Sequence, residues 1–429
     1  MGLVRILATA LLLALTTGAQ ADDLFRRTTL TGDWNGARTG LEQDGIQLGG
    51  DEIVETLGNP RGGRDQDVVM EGRFELFTTV DLEQALGWQG ALFHANLYQI
   101  HGRGLQNDLG SLVTPSNIES QPATRVFGLW LQQSFAGDTV SLRAGQIAAD
   151  DEFFVSQYAP LFVNSSFGWP SILGINLPGG GPSYPLARPG ARVRVALSPR
   201  LTVSGAVFSG DGRADAGGLN VHVDGSAFAI GEVAYGITLN ELPGTVKLGG
   251  WYHSGRFADQ RFGAGGTLLA AGGTPALHRG DYGGYFIIDQ LLWRNSGTSD
   301  AGLGAFLRIA GAPAERNLIA FHMDGGLTYA GPFGHDTDVI GIGLSLEETS
   351  SAQHDLTGDF RALTGLAAPY PDFESTLELS WQTQLAPWWI IQPDVQWVMH
   401  PGGRVLDVSR PLEREGNALI VGLRTAIAL

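Results

Sequence analysis

The residues best suited to chemistry gather in and beside positions 148–190. Asp150, Asp151 and Glu152 open that stretch, Arg143 precedes it, and Arg192 and Arg194 follow it two positions apart. Arg103 and Arg125 are further candidates for the same wall. Arginine presents five N–H donors in a rigid fork, which suits paired hydroxyl oxygens, and carboxylates supply acceptors. Phe167 and Trp169 add flat rings on which an apolar face can stack. Such a set holds a solute weakly and breaks no bond; neither G-x-S-x-G nor H-E-x-x-H occurs. The plainer role for each arginine is pairing with an acid of wall or loop. For Trp169, followed by Pro170, it is an anchor.

What must position these groups is a loop. Residues 148–190 form the longest stretch without a sustained strand pattern, between strand-like segments at 139–147 and 191–197. A loop of this length inside a compact domain has a functional reason or is disordered. Its load of Phe153, Phe154, Tyr158, Phe162, Phe167, Trp169 and Tyr184 argues against disorder. The loop is therefore expected to fold into the interior of the frame and narrow it.

The frame itself alternates at period two. Sixteen such segments run from residue 45 to the end, among them 68–82, 201–209, 244–254, 281–293, 319–330 and 373–385. In 68–82, Phe74, Leu76, Thr78 and Val80 share one face, and Arg73, Glu75, Phe77 and Thr79 the other. Many segments are as long as a tilted strand needs to cross a bilayer, roughly 9–11 residues. Short connections (83–88, 136–138, 198–200, 386–387) alternate with mostly long ones (101–123, 148–190, 255–280, 348–372). Short turns on one side and long loops on the other define a sixteen-stranded antiparallel outer-membrane barrel, all β, with both termini on the periplasmic, short-turn side. Residues 148–190 are then the third external loop. Trp381, Trp388, Trp389 and Trp397 lie near the ends of the last long hairpin, where an aromatic girdle sits.

The remaining features agree with an exported chain. Residues 1–21 carry one arginine, an apolar run and Ala19-Gln20-Ala21, the pattern of a cleaved secretory signal. Residues 22–44 hold the one convincing helix, with Asp33 as N-cap, Trp34, Arg38 and Leu41 on one face, and Gly45 as its stop; they read as a periplasmic segment before the barrel domain at 45–429. The charge of −17 argues against nucleic acid as a partner, and the absence of cysteine leaves stability to packing and backbone pairing. Asp211–Gly217 only faintly resembles a calcium loop, so no metal and no cofactor are assigned.

Particular strings carry a resemblance. LTGDWNGARTGL (30–41), QIHGRGL (99–105), GQIAADDEFFVS (145–156), NSSFGWPSIL (164–173), LPGGGPSYPLAR (177–188), LGGWYHSGRFADQ (248–260), WWIIQP (388–393) and HPGG (400–403) resemble the OprB-like family of carbohydrate-selective porins. Leu429 departs from the phenylalanine with which such chains commonly end. The resemblance implies a bacterial outer-membrane pore for passive diffusion of small sugars, with sugars and lipid as partners and a monomer or trimer as the assembly. It also implies that the third external loop is the constriction. A sugar offers hydroxyls at its rim and C–H faces above and below, so Arg103, Arg125, Arg143, Arg192 and Arg194 with Asp150, Asp151 and Glu152 become rim candidates. Trp169 and Phe167 become stacking candidates. A general porin, a barrel plugged by its own loops, and an outer-membrane enzyme are the competing readings.

Overall fold

The computed structural model describes residues 24–212, 223, 225–295, 302–332, 335 and 337–429. The signal at 1–21 lies outside them, as do 213–217 of the calcium-like string. The first half is built from β1 (Ile46–Gly63), β2 (Val68–Asp81), β3 (Ala91–Gly102), β4 (Ala123–Phe135), β5 (Val140–Ile147), β6 (Arg188–Ser198), β7 (Leu201–Ser209) and β8 (Ala227–Leu239). The second half comprises β9 (Leu242–Gly263), β10 (Pro275–Arg294), β11 (Gly302–Gly311), β12 (Ile319–Ala330), β13 (Val339–Thr349), β14 (Phe373–Ala386), β15 (Trp389–Met399) and β16 (Gly416–Ala428). Each strand pairs antiparallel with its neighbours in sequence, and β16 returns to β1, from Asp51↔Ala428 to Gly63↔Gly416, closing the ring. The expected sixteen-stranded barrel is the observed one.

The two faces sort as hydrocarbon outside and polar groups inside demand. Leu76, Leu131, Leu142, Val193, Val233, Leu248, Leu327, Leu379, Val395 and Leu423 are exposed on the outer wall. Glu55, Arg192, Glu232, Asp289, Arg308, Asp324, Glu374 and Glu378 are buried within. In water this distribution would be inside out; in a bilayer it is the stable one.

Three departures from the sequence expectation have physical causes. β9 and β10, at 22 and 20 residues, continue well past a bilayer's requirement, because Arg256↔Arg279 and Phe257↔His278 keep the ladder paired. The expected loop at 255–280 is therefore mostly a standing hairpin. Second, the expected loop at 348–372 contains a 14-residue helix, here α2 (Ser351–Thr364), so the helix at 22–44 has a counterpart. The Ser350 hydroxyl accepts from Gln353 N, and Gly365 ends the helix in the left-handed region. Its buried side, Gln353, Thr357 and Phe360, is too polar to stand out as an apolar stripe. Arg261 of β9 pins it through Asp359 at 2.8 Å and Asp355 at 2.5 Å.

Third, the N-terminal helix starts later than expected. Trp34–Gly36 is a 3-10 turn leading into α1 (Ala37–Gln43), and Asp33 accepts from Thr39 N (2.9 Å) and its hydroxyl (2.8 Å) rather than capping the first turn. α1 latches the end of the chain. Arg38 stacks over Trp34 at 4.3 Å and donates to the Leu429 carbonyl at 2.9 Å, while Leu429 N reaches Gly50 O at 2.9 Å. Trp388 is buried under this segment and donates to Leu24 O at 2.9 Å, so it does not belong to the lipid girdle. Replacing Arg38 with alanine is expected to destabilise the barrel by about 1–3 kcal/mol. The check is a lower temperature for the heat-induced gel shift of the folded barrel, with its circular dichroism spectrum unchanged at about 25 °C.

Candidate functional site: the constriction

Loop 3 (148–187) crosses the lumen, and the wall supplies what its backbone needs. Glu378 accepts from Val163 N (2.6 Å) and Asn164 N (2.9 Å), Glu232 from Phe154 N (3.2 Å), and Asp289 from Gln157 N (3.3 Å) and the Ser156 hydroxyl. Arg308 works in the opposite sense, donating to the carbonyls of Phe154 (2.9 Å), Ser166 (2.8 Å) and Gly168 (2.9 Å) while paired with Asp324 at 2.8 Å. Phe153, Phe154, Phe162 and Phe167 complete the attachment as buried side chains. All of these anchors come from β8–β14, so loop 3 lies against that side.

Loop 2 (103–122) shares the task, which the sequence reading had given to loop 3 alone. Glu374 accepts from Leu112 N (2.7 Å), Val113 N (3.0 Å) and Gly402 N (2.7 Å). Asn117 N bonds Val163 O of loop 3 at 2.8 Å, and Arg424 of β16 donates to Asn117 Oδ1 at 2.6 Å.

Beside loops 2 and 3 the space left open runs along β1–β5. An external cavity of about 540 Å³ is bordered by Arg73, Asn117, Glu119, Asp150, Trp169 and Arg424. Below it, about 200 Å³ is bordered by Glu75, His94, Asn96 and Trp130. Tyr98, Phe127 and Asp151 line both, so they stand at the level where the two cavities meet, here called the passage. Tyr98 stacks on Phe127 with centroids 4.6 Å apart, and the Arg73 guanidinium lies 4.7 Å over Tyr98. Arg143 lies 3.9 Å over Trp130, whose ring also stacks on His94. The rings hold both guanidinia flat, leaving their in-plane N–H groups as fixed donors.

The residues singled out from sequence divide accordingly. Glu152 joins Arg143 (2.9 Å) and Arg192 (2.7 Å), with Gln132 between the two arginines, so this trio fixes the start of loop 3. Arg125 donates to Pro185 O at 3.3 Å, at the loop's other end. Asp150 accepts from Tyr184 N at 2.9 Å and, with Asp151 and Trp169, borders the passage; Trp169 Nε1 donates to Gly180 O at 2.9 Å. Arg194 is exposed, two positions below Arg192 on the same face. Two candidates lie elsewhere. Arg103 stands at the outer mouth, paired with Asp67 and Asp108 at 2.5 Å each, and Phe167 is sealed between Phe162 and Phe306. Neither borders the two cavities, and Arg125, Arg143, Glu152, Arg192 and Arg194 do not line them either, so of the candidates only Asp150, Asp151 and Trp169 do. Arg73, Tyr98, Asn117, Glu119, Tyr184 and Arg424 border the external cavity without having been selected. Period-two alternation puts Arg73 and Arg424 on inward faces, but only closure of β16 onto β1 brings them together.

Burial pushes the Glu119 carboxyl up to about 7, with the Glu55 charge adding to the shift against hydrogen bonds from Gln106 N and Leu105 N. Burial and the neighbouring Asp151 carboxylate hold Asp150 above the ordinary carboxylate range.

A closed sixteen-stranded barrel, apolar without, charged within and narrowed by its own loops, is an outer-membrane porin. The sequence profile of the carbohydrate-selective porin, OprB family matches residues 65–429, and the chain belongs to that family. It is 24% identical to Porin B of Pseudomonas aeruginosa over 442 residues, covering 96% of this chain and 94% of that one. The structure of OprB from Pseudomonas putida at high pH superposes with a TM-score of 0.86 at 22% identity, over 94% of this chain and 99% of that one. Its low-pH structure superposes at 0.59 and 17% identity, with the same coverage. The protein is thus a carbohydrate-selective porin of the bacterial outer membrane, and its family is one of channels, not an enzyme class.

Arg308 is the anchor whose loss should show most. Replacing it with methionine removes the guanidinium from Asp324, leaving His322 as its remaining partner, and should destabilise the fold by about 2–4 kcal/mol. With three loop-3 carbonyls released, single-channel conductance should rise. Unchanged conductance in planar bilayers would show that other contacts alone hold the loop.

Proposed function

We propose that sugars are selected at the level of Tyr98, Phe127 and Asp151, passing by diffusion with no chemical step. The observation that supports this is the arrangement around the external cavity, with Arg73 and Arg424 on the wall facing Asp150 and Asp151 on loop 3. Donors and acceptors on opposite sides match the two edges of a polyhydroxylated ring, and the exposed part of Trp169 offers its C–H face a surface. Attraction stays modest because most donors are already partly paired, which lets the solute leave. Arg143, Arg192, Arg125 and Glu152 act as positioning residues, holding loop 3 at its two ends.

A serine–histidine–aspartate arrangement does occur, with Ser171 Oγ 3.0 Å from His322 Nδ1 and His322 Nε2 2.7 Å from Asp324 Oδ2. It speaks for anchoring rather than hydrolysis. Glu347 also lies 3.6 Å from His322 Nδ1, so the ring sits between two carboxylates. A catalytic pair needs a ring nitrogen free to take the serine proton, and here each nitrogen faces a carboxylate. One barrel is a whole pathway, so a trimer would repeat the pore rather than build it.

Two outcomes test the reading. Asp151→Asn and Trp169→Ala should each weaken glucose-induced block of ion current by about 3- to 30-fold, the worth of about one hydrogen bond or stacking contact. A block constant unmoved in both variants would remove the passage from the binding path. The raised carboxyls set a pH dependence: Asp150 and Glu119 are neutral in acid and gain charge as pH climbs, Glu119 near 7. Cation preference should therefore increase from about pH 5 to about pH 8, measured as reversal potential in a salt gradient. The double variant Asp150→Asn, Glu119→Gln should reduce that rise to the part carried by Asp151, whose carboxyl burial raises to about 6; a wild type with a flat profile would contradict it.

A further inference from the structure

Beneath loop 3, on the side opposite the passage, lies a third cavity of about 510 Å³. It shares no lining residue with the two cavities of the pathway. Its wall comes from the periplasmic ends of strands, since Arg294 ends β10, Thr328 is near the end of β12, and Gln382 is near the end of β14. Its roof is Gln157 and Tyr158 of loop 3. The volume falls within the range of roughly 300–1,000 Å³ typical of small-molecule pockets.

The chemistry of this cavity is specific. Three atoms of the Tyr158 ring occupy the place where a side chain at Gly304 would begin, so the ring lies on the wall in a socket made by the missing Cβ. Tyr158 also lines the cavity and remains half-buried, leaving an aromatic surface turned to the open space. Around it the side chains of Arg294, Thr328 and Gln382 have no hydrogen-bond or ion-pair partner among the described residues. The arginines bordering the external cavity differ, since Arg73 and Arg424 are each already paired. A hydroxyl, an amide and a guanidinium with free hydrogen-bonding capacity, set about a ring, complement hydroxyls around a C–H face.

We propose that this cavity is a second sugar subsite, opening to the periplasm and centred on Tyr158, Thr328, Gln382 and Arg294. The inference rests on the reading of the protein as a sugar pore, which supplies the ligand class. A passive subsite cannot bias direction. It raises the residence of sugar in the lower vestibule, on the far side of loop 3 from the passage.

The test uses the full barrel labelled with 3-fluorotyrosine, in a detergent without a sugar headgroup, titrated with glucose. The Tyr158 fluorine resonance, identified by its loss in Tyr158→Phe, should shift saturably. The double variant Thr328→Val, Gln382→Leu should abolish that shift while its current-block constant for glucose stays within about twofold of wild type. A Tyr158 resonance that stays still at glucose concentrations that block the pore overturns the subsite and leaves the constriction reading intact. A shift that survives the double variant overturns the assignment of the hydroxyl and amide. Absence of both shift and block in wild type overturns the subsite together with the sugar-selective passage on which it rests.

Discussion

Irregular backbone inside a barrel needs hydrogen-bond partners, and here the wall provides them. A helix or strand satisfies its own N–H and C=O groups; loops 2 and 3 mostly do not, and they lie where little water can substitute. Glu374, Glu378, Glu232 and Asp289 receive loop N–H groups, and Arg308 gives to three loop carbonyls. Bonds of this kind, with one partner charged, contribute about 1.5–3 kcal/mol each where both groups are buried. The sum holds two long segments against one side of the lumen without a disulfide.

That attachment decides where the pore runs. Because β8–β14 are committed to the loops, the space open beside the loops is displaced toward β1–β5, and its residues come from strands far apart in sequence. Glycines complete the attachment by absence. A Cβ at Gly304 would meet Tyr158, one at Gly341 would meet Leu161, and one at Gly343 would meet Phe167. Inward glycines on β11 and β13 are thus sockets for loop side chains. The contrast between Phe167, plugged into the wall, and Trp169, left at the cavity, follows from a glycine on another strand.

This also explains which parts were legible in the sequence. Alternation is a local property, so the strands, their faces and the ring were readable; residues 201–209 and 319–330 have the expected bounds. Arg143, Glu152 and Arg192 were readable as one charged group because β5, loop 3 and β6 are consecutive. Arg424 and Asn117 were not, being 307 positions apart and joined only by closure of the ring. Phe167 and Trp169 look alike in sequence, since the socket under one lies at Gly343. Loop 2 contributes few aromatics, and its hold on Glu374 uses main-chain N–H groups, which leave no trace in residue type.

The same accounting separates the chain's charge from the pore's. The net −17 suggests a strongly anionic lumen. Many inward acids are already engaged: Glu55 with Arg424, Asp324 with Arg308, Glu152 with two arginines, and Glu374 and Glu378 with backbone. At the external cavity Asp150 and Asp151 stand on loop 3, with Arg73 and Arg424 on the opposing wall. The external cavity thus carries charges of both signs on different elements. Most inward acids therefore contribute to holding the loops and the wall rather than to a field along the lumen, so composition overstates how anionic the open space is.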